Sequence, residues 1–281
     1  MAKVNVMKHW NARLKIGALV VLFFLILGFV VPFFRPIRDV MEWSAYPKNM
    51  RPSWQYILGT TSMGQDVFWL LVCSIQNSLI IGLCTAALAT VIGVTVGLFA
   101  GLKGGAVDRV LTLLMDSLIA IPSLPILILL GSILKGRTPW VLISLVLALF
   151  SWPWAARQTR AMALSLREND YINTAMFSGE STLKIIRREI FPFVSDWSAA
   201  NFVNTILTAI GSESGLALIG MSSNSTATLG TMIYWANSRQ ALLAERYWWI
   251  LPPVIAIVIL FVALFVFLSG YQTYNAYRRG K

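Results

Sequence analysis

Residues 79–101 read Leu79-Ile-Ile-Gly-Leu-Cys-Thr-Ala-Ala-Leu-Ala-Thr-Val-Ile-Gly-Val-Thr-Val-Gly-Leu-Phe-Ala-Gly101, and they contain no charged side chain. A helix needs about 20 apolar residues to cross the hydrocarbon layer of a bilayer. This segment therefore predicts a membrane-spanning helix. Gly93, Gly97 and Gly101 recur every fourth residue, which places three positions without side chains on one helix face. We expect another helix to approach closely along that face.

The same apolar character extends over most of the chain. Of its 281 residues, 57% are hydrophobic and only 12% are charged, whereas an average soluble domain has roughly 25% charged residues. The sequence predicts an all-α, polytopic membrane bundle with about six transmembrane helices. Besides 79–101, the predicted spans lie near residues 15–34, 111–134, 139–156, 194–220 and 249–269. Pro122 and Pro125 should bend the third span, because proline removes a backbone donor.

These spans divide the chain into predicted regions. Residues 1–34 form the N-terminus and a first anchor, which lacks a small-residue cleavage pattern and is therefore expected to be retained. Residues 35–77 form an extracytoplasmic loop, whose end near Asp66 is predicted to be an interfacial helix. Residues 78–269 form a core of five spans with a long loop at 157–193, and residues 270–281 form a tail.

The distribution of basic residues predicts the orientation in the membrane. The formal net charge is +11, but the basic residues lie beside the apolar segments and not in one solvated stripe, which argues against a nucleic-acid partner. Both termini and the loops at 102–110 and 157–193 share 15 Lys and Arg, and the opposite side has 8. Because cytoplasmic loops carry the excess of Lys and Arg, we expect both termini and the 157–193 loop to be cytoplasmic.

Several enzyme classes and site types are not supported by the sequence. It contains no Gly-x4-Gly-Lys-Ser/Thr motif for binding nucleotide phosphates. Its only histidine, His9, lies among basic residues without partner ligands for a metal. Cys73 and Cys84 are eleven positions apart, so we interpret both as packing residues. We therefore predict no catalytic, metal or cofactor site on this chain.

Residues 166–192 show a pattern typical of two short helices joined by a turn. Asn169 or Asp170 can cap the first helix, Gly179 suits a left-handed turn residue, Ser181 can cap the second helix, and Pro192 follows its end. Apolar residues recur at helical spacing, and basic residues take the other face: Ile172, Ala175 or Met176, Gly179, Leu183, Ile186 and Ile190, against Lys184, Arg187 and Arg188. The pattern alone fits either a docking element for a soluble partner or a helix pair lying on lipid headgroups.

This segment resembles the conserved cytoplasmic loop of ABC importer permeases. The residues that carry the resemblance are Asn173-Thr174-Ala175, Gly179, Ile185-Ile186 and Phe191-Pro192. Further similarities point to the second, C-type permease of dipeptide, oligopeptide and nickel systems: Leu58 to Asp66, Asp108-Arg109, Met115-Asp116 with Ile121-Pro122-Ser123, and Glu213 before Leu216 to Gly220. The chain departs from the family pattern at Asn173, Thr174 and Glu189, and Gln65 replaces an arginine of the external motif.

The resemblance implies an ABC permease fold and a set of partners. It implies a second permease subunit, two cytoplasmic ATPase subunits that hold ATP and Mg²⁺, an extracytoplasmic substrate-binding protein, and a bacterial or archaeal inner membrane. The solute would be a peptide, a nickel complex or an oligosaccharide. The 157–193 loop, here named the coupling loop, would contact the ATPases through Asn173, Thr174, Ala175, Ser178, Gly179, Glu180, Ile185, Arg188, Glu189 and Pro192.

Periodicity in the fifth span predicts the translocation path. Polar residues recur there at steps of three and four, namely Ser198, Asn201, Thr205, Thr208 and Ser212. Val203, Ile206 and Ile210 lie opposite. Since polar groups find no hydrogen-bond partner in lipid, we expect Asn201, Thr205, Thr208 and Ser212 to line an aqueous path. The alternative is that they bond to neighbouring helices.

Two other functions are compatible with a polytopic membrane chain. A secondary transporter or channel would work without ATPases and would predict inverted repeats or buried ion-coupling charges. A membrane-embedded enzyme would need clustered His, Asp or Ser near one membrane face. The docking pattern of the coupling loop favours the permease over both.

Overall fold

The computed structural model describes residues 11–34, 40–133, 139–220 and 226–279, with side chains as far as residue 276. Within these ranges the chain is helical with no strand, which confirms the predicted all-α class. The helices are α1 (Ala12–Phe29), α2 (Val67–Lys103), α3 (Gly105–Ala120), α4 (Ser123–Ile133), α5 (Trp140–Arg167), α6 (Asp170–Phe177), α7 (Thr182–Ile185), α8 (Phe191–Leu218), α9 (Leu229–Ser238) and α10 (Tyr247–Arg279). A 3-10 turn (Val31–Phe34) follows α1, and a π-helical turn (Ile186–Ile190) joins α7 to α8.

Four helical segments in the described ranges are long and apolar enough to cross a membrane. They are α1 with its 3-10 turn, α2, α5 and α10. The bent pair of α3 and α4 supplies a fifth span if the two are taken together. The predicted count of about six is thus higher than the four or five found. The remaining predicted span, 194–220, falls on α8, which has 28 residues but carries Asp196, Glu213 and several amides and hydroxyls that lower its apolar character.

Helix α2 begins earlier than the sequence pattern suggests. It has 37 residues, which corresponds to about 55 Å at 1.5 Å per residue, well beyond the roughly 30 Å hydrocarbon layer. The stretch after Asp66, predicted to be a separate interfacial helix, is the first part of α2. The carboxylate of Asp66 caps this helix, because its Oδ1 accepts hydrogen bonds from the Phe68 and Trp69 backbone N–H groups at 2.9 and 3.3 Å.

Prolines break the third predicted span, as expected. Helix α3 ends at Ala120, α4 begins at Ser123, and their axes differ by 68°. Ile121 is extended, with φ −83° and ψ 118°, because Pro122 disfavours the helical conformation of the residue before it. Pro125 lies in the first turn of α4, where a missing N–H group is tolerated.

The chain divides into two compact units. The first comprises residues 1–82, 124–143 and 207–281, and the second comprises 83–123 and 144–206. In the first unit, α1 runs antiparallel to α10. A Cβ placed on Gly17 would lie 2.5 Å from the Phe267 nitrogen, and one on Gly270 would lie 2.5 Å from the Leu14 nitrogen. The start of α1 therefore lies beside the last third of α10. Some of the Lys and Arg residues used to predict the orientation lie outside the described ranges, namely those at positions 3, 8, 35, 38, 135, 137 and 281.

The motif from Leu58 to Asp66 forms a compact loop in the first unit. The Thr60 hydroxyl donates to the Pro47 carbonyl at 2.6 Å and accepts from the Met50 N–H at 2.8 Å. The Trp248 indole donates to the Thr60 carbonyl at 3.2 Å. Gln65, which stands where the family has an arginine, is buried and donates from its amide to the Met41 carbonyl at 3.2 Å. These residues fix the loop to the N-terminal ends of α2 and α10.

In the second unit, the glycine face of α2 packs against α5, as the sequence predicts. A Cβ on Gly93 would lie 2.6 Å from the Ala155 Cβ, and one on Gly101 would lie 2.7 Å from the Ala163 Cβ. A Cβ on Gly97 would overlap the Thr159 hydroxyl and the Ala156 carbonyl oxygen. These three close contacts bring the backbones of α2 and α5 together along this face.

The seam predicts a specific cost for adding one methyl group. Gly97→Ala should lower the free energy of unfolding by about 1–3 kcal/mol, because overpacking forces the two helices apart. Thermal unfolding of the purified chain in detergent measures the effect. Gly215→Ala is the matched control, since a Cβ there meets no atom within 4 Å. Equal melting temperatures for the two variants would contradict a close-packed seam.

Candidate functional site

The first helix of the coupling loop begins as predicted but is capped differently. Asn169 is the N-cap residue of α6, and its backbone carbonyl accepts from the Ile172 and Asn173 N–H groups at 3.1 and 3.2 Å. Its side chain does not cap the helix. The amide donates instead to the Leu166 carbonyl at 2.8 Å, which ties α6 to the end of α5.

Helix α6 ends in a Schellman motif at Gly179. The Glu180 N–H bonds to the Ala175 carbonyl at 3.2 Å, and the Gly179 N–H bonds to the Met176 carbonyl at 3.1 Å. Gly179 has φ +75°, a conformation that glycine adopts without the strain imposed by a Cβ. The left-handed residue predicted here is confirmed. A Cβ on Gly179 would meet nothing within 4 Å, so the outer side of the turn is open.

The second helix does not end before Pro192, which corrects the sequence interpretation. Ser181 is the N-cap of α7 by position but makes no side-chain cap bond. The chain then continues through the π-helical turn into α8, with the Phe191 N–H bonded to the Ile186 carbonyl five residues back. Pro192 is the second residue of α8, and it donates no backbone hydrogen bond to the preceding turn. The coupling loop and α8 therefore form one continuous helical path.

Three isoleucines anchor the coupling loop to the second unit. Ile172, Ile185 and Ile190 are 2% exposed or less. They pack in one cluster with Val194 of α8 and with side chains of α2 and α5, namely Val94, Leu98, Leu102 and Ala163. Leu183, predicted for the inward face, is 74% exposed. The helical phase is not continued across the Gly179 turn, so Ile185 takes the inward position.

The outward side of the loop carries large apolar side chains. Phe177 is 92% exposed and Leu183 is 74% exposed, on either side of the Gly179 turn. The sequence interpretation did not assign Phe177 to this surface. A usable signal exists, because Phe177 follows Ile172 by five residues and so lies about 140° from it around α6. Phe177 and Leu183 are thus large apolar side chains that the described chain does not cover.

The residues predicted to contact the ATPases differ in exposure. Thr174, Ser178, Gly179, Arg188 and Pro192 are exposed; Asn173, Ala175, Glu180 and Glu189 are half-buried; and Ile185 is buried. Glu180 pairs with Lys184, and Glu189 lies 3.6 Å from the Arg188 guanidinium. Half of the predicted set is thus exposed, as Phe177 and Leu183 are, whereas Ile185 supports the loop from inside.

Two ion pairs join α3 to the part of α5 that begins the coupling loop. The Arg160 guanidinium binds Asp108 through two hydrogen bonds, Nε to Oδ1 at 2.5 Å and Nη2 to Oδ2 at 2.7 Å. Arg157 lies 3.5 Å from Asp116, at an exposed position. The bidentate pair has the geometry in which Arg–carboxylate bonds are strongest. Asp108 and Asp116 are thereby explained as helix-joining residues.

The polar stripe of α8 is split between the interior and the surface of the chain. Ser198, Asn201 and Thr205 are buried. The Ser198 hydroxyl donates to the Val194 carbonyl at 2.9 Å, and the Thr205 hydroxyl donates to the Asn201 carbonyl at 2.8 Å. Thr208 is exposed and Ser212 is half-buried.

The exposed polar face of α8 is rotated from the predicted stripe. It contains Asn204, Thr208 and Gly215, which centres it about 50° from the predicted stripe at 100° per residue. Ile206 and Ile210, predicted to lie opposite, are buried. Asn204 is the polar residue of this face that the sequence interpretation missed.

Glu213 is a buried residue of the first unit that connects two helices. It is 1% exposed, and its Oε1 accepts a hydrogen bond from the Thr228 hydroxyl at 2.7 Å. Thr228 also forms a capping box with Thr231 at the start of α9. Glu213 therefore fixes the N-terminus of α9 to α8. No group of three or more His, Cys, Asp or Glu side chains that could hold a metal occurs among the described residues.

The chain matches known transport proteins in sequence and in fold. Residues 93–281 match the family model of the binding-protein-dependent transport system inner membrane component. The oligopeptide transport system permease protein OppC of Mycobacterium bovis is 31% identical over 75% of this chain and 72% of its own length. The dipeptide transport system permease protein DppC of Bacillus subtilis is 27% identical over 83% and 71%, respectively.

A solved structure shows the same fold. A chain of the MetNI methionine ABC transporter in an inward-facing conformation superposes with a TM-score of 0.56, covering 74% of this chain and 96% of that chain at 18% identity. The matched relatives are transport permeases and not enzymes. The chain is thus a multi-pass inner membrane protein, and it belongs to the family of binding-protein-dependent transport system inner membrane components, the permease subunits of ABC importers.

Proposed function

We propose that this permease carries peptides or similar small polar solutes, and that partner ATPases hydrolyse ATP with Mg²⁺ to drive it. The support for a peptide substrate is the likeness to oligopeptide and dipeptide permeases. The observation that carries the ATPase proposal is the coupling loop itself. It is fixed to the bundle by three buried isoleucines and presents two exposed apolar side chains on its outer side.

The outer side of the coupling loop is the proposed ATPase-binding surface. Exposed apolar side chains that are rimmed by polar residues are typical of protein interfaces. Phe177 and Leu183 have this setting, because Thr174, Ser178 and Gly179 lie beside them on the exposed side. Asn173 gives this contact a neutral group where the family has an acidic one.

The packing of the loop supports a route for transmitting ATPase motion. A displacement of α6 and α7 moves the isoleucine cluster, which also contains side chains of α2 and α5. The continuous path through the π-helical turn carries the same displacement into α8. Close-packed cores transmit such shifts as rigid-body movements of whole helices. This arrangement suits alternating access driven from the loop.

We place the coupling loop and both termini on the cytoplasmic side of a bacterial or archaeal inner membrane. The excess of Lys and Arg in these regions supports this orientation, and the antiparallel packing of α1 on α10 is consistent with termini on one side. The complex would then contain a second permease, two ATPases and an extracytoplasmic substrate-binding protein.

The exposed polar face of α8 is the proposed wall of the translocation path. Thr208 belongs to it, together with Asn204, and the half-buried Ser212 borders it. Neutral hydroxyl and amide groups can exchange hydrogen bonds with a passing solute without holding it by charge. Asn201 and Thr205, also expected on the path, turn into the chain and adjoin this wall.

The turn at Gly179 is predicted to be essential for coupling. Gly179→Val should abolish stimulation of ATP hydrolysis by substrate, because a left-handed conformation costs about 1–2 kcal/mol for a residue with a Cβ and the turn would reorganise. Gly179→Asn is the matched control, since asparagine tolerates this conformation, and it should keep most of the coupling. Measurement uses the reconstituted complex. Normal transport by Gly179→Val would show that the loop is not the docking element.

The exposed side chains of Phe177 and Leu183 are predicted to contribute to the affinity for the ATPases. The double variant Phe177→Ser, Leu183→Ser should weaken co-purification of the ATPases about tenfold or more, since buried aromatic anchors dominate interface energies. Leu243→Ser is the matched control, because Leu243 is 82% exposed on the turn between α9 and α10. Comparable ATPase yields with all three chains, the native one included, would argue against this surface.

The path prediction rests on the difference between two residues of α8. In a chain with Cys73 and Cys84 replaced by serine, Thr208→Cys should react with a small water-soluble thiol reagent in at least one nucleotide state. Ile210→Cys should stay protected in every state, because Ile210 is fully buried. Labelling followed by mass spectrometry measures both. Protection of Thr208→Cys in all states would leave this face as a helix contact.

A further inference from the structure

An apolar groove of about 540 Å³ lies between α2 and α3 in the second unit. Its walls include Val96 and Phe99 of α2 and Val107, Val110 and Leu111 of α3. Thr95 adds a hydroxyl to the lining. Phe99 and Val110 are 37% and 66% exposed, so the groove opens to the outside of the chain. A carbon-lined groove of this kind is unsuited to a peptide or another polar solute.

The groove ends beside a cation. Lys103 is the last residue of α2, one turn beyond Phe99, and its Nζ lies 5.3 Å from the centroid of the Phe99 ring. Lys103 ends a helix that is long enough to cross the hydrocarbon layer and reach the headgroup level. Lysine side chains at helix ends extend toward that level. The cation therefore marks the polar end of an apolar groove.

The charge at this end is not balanced by the described acidic residues. Within the part of the chain that the structure describes, no carboxylate lies within 4 Å of the Lys103 ammonium. Asp108, on the neighbouring turn of α3, is already bound by Arg160 through two hydrogen bonds. The mouth of the groove is thus positive and suited to an anion.

We propose that the groove between α2 and α3 binds one acyl chain of an anionic phospholipid, whose phosphate pairs with Lys103. The apolar walls match the acyl chain, and the ammonium of Lys103 matches the anionic headgroup. The lipid would brace the corner between α2 and α3, where Gly104 and Gly105 both have positive φ. That corner adjoins the Asp108–Arg160 pair that joins α3 to α5.

The test is lipid retention by the assembled transporter, measured by native mass spectrometry. The purified complex receives equal amounts of dioleoyl phosphatidylglycerol and dioleoyl phosphatidylcholine. The native complex should retain phosphatidylglycerol preferentially. Lys103→Gln should reduce this preference about fivefold, the effect of one lysine near an anionic surface. Arg109→Gln is the matched charge control, since Arg109 lies about 130° from the groove-lining side of α3, and it should keep the preference.

A second variant tests the groove itself. Val110→Trp should fill it and remove one retained lipid per chain, whereas Leu113→Trp, at a position 70% exposed outside the groove, should not. Three results would overturn the proposal. They are an unchanged lipid preference in Lys103→Gln, equal lipid loss in the two tryptophan variants, and dissociation of the second permease from Val110→Trp, which would make the groove a helix–helix interface.

Discussion

The close approach of α2 and α5 is the contact on which the second unit depends. Gly93, Gly97 and Gly101 carry no Cβ, so the α5 backbone lies directly against this face of α2. Membrane helices gain little from hydrophobic association, since lipid tails are as apolar as leucine, and close van der Waals packing takes over that role. The seam brings Leu98 and Leu102 next to Ala163, where they form the surface that receives the isoleucines of the coupling loop.

Rigid support and an exposed outer side together explain the form of the coupling loop. Helices α6 and α7 have eight and four residues, and helices this short are not stable alone in water. Their stability comes from burying Ile172, Ile185 and Ile190 in the bundle. The side chains on the outer side are therefore not needed for this packing, and Phe177 and Leu183 are available to a partner. A partner that moves this side moves the packed core with it.

Much of the fold follows from the sequence, because strong local signals specify it. The glycine repeat predicts a close helix contact along this face of α2, Pro122 predicts the break after α3, and Gly179 predicts the left-handed turn. The sequence interpretation is wrong where local spacing does not determine which face of a helix a residue occupies. The phase set by Ile172 does not continue past Gly179, so Leu183 was assigned to the wrong face. On α8, polarity alone does not distinguish the buried Asn201 from the exposed Asn204, because hydroxyls and amides serve both as internal hydrogen-bonding groups and as surface groups.

The π-helical turn from Ile186 to Ile190 keeps the helical path from α7 to α8 unbroken. A π turn accommodates one residue more than an α-helical turn of the same path. Because the wider turn absorbs that extra residue, the helix continues on both sides of it, and removing the residue would leave an ordinary α-helical turn. The turn from Ile186 to Ile190 thus lets the chain carry one more residue between α7 and α8 without ending the helix.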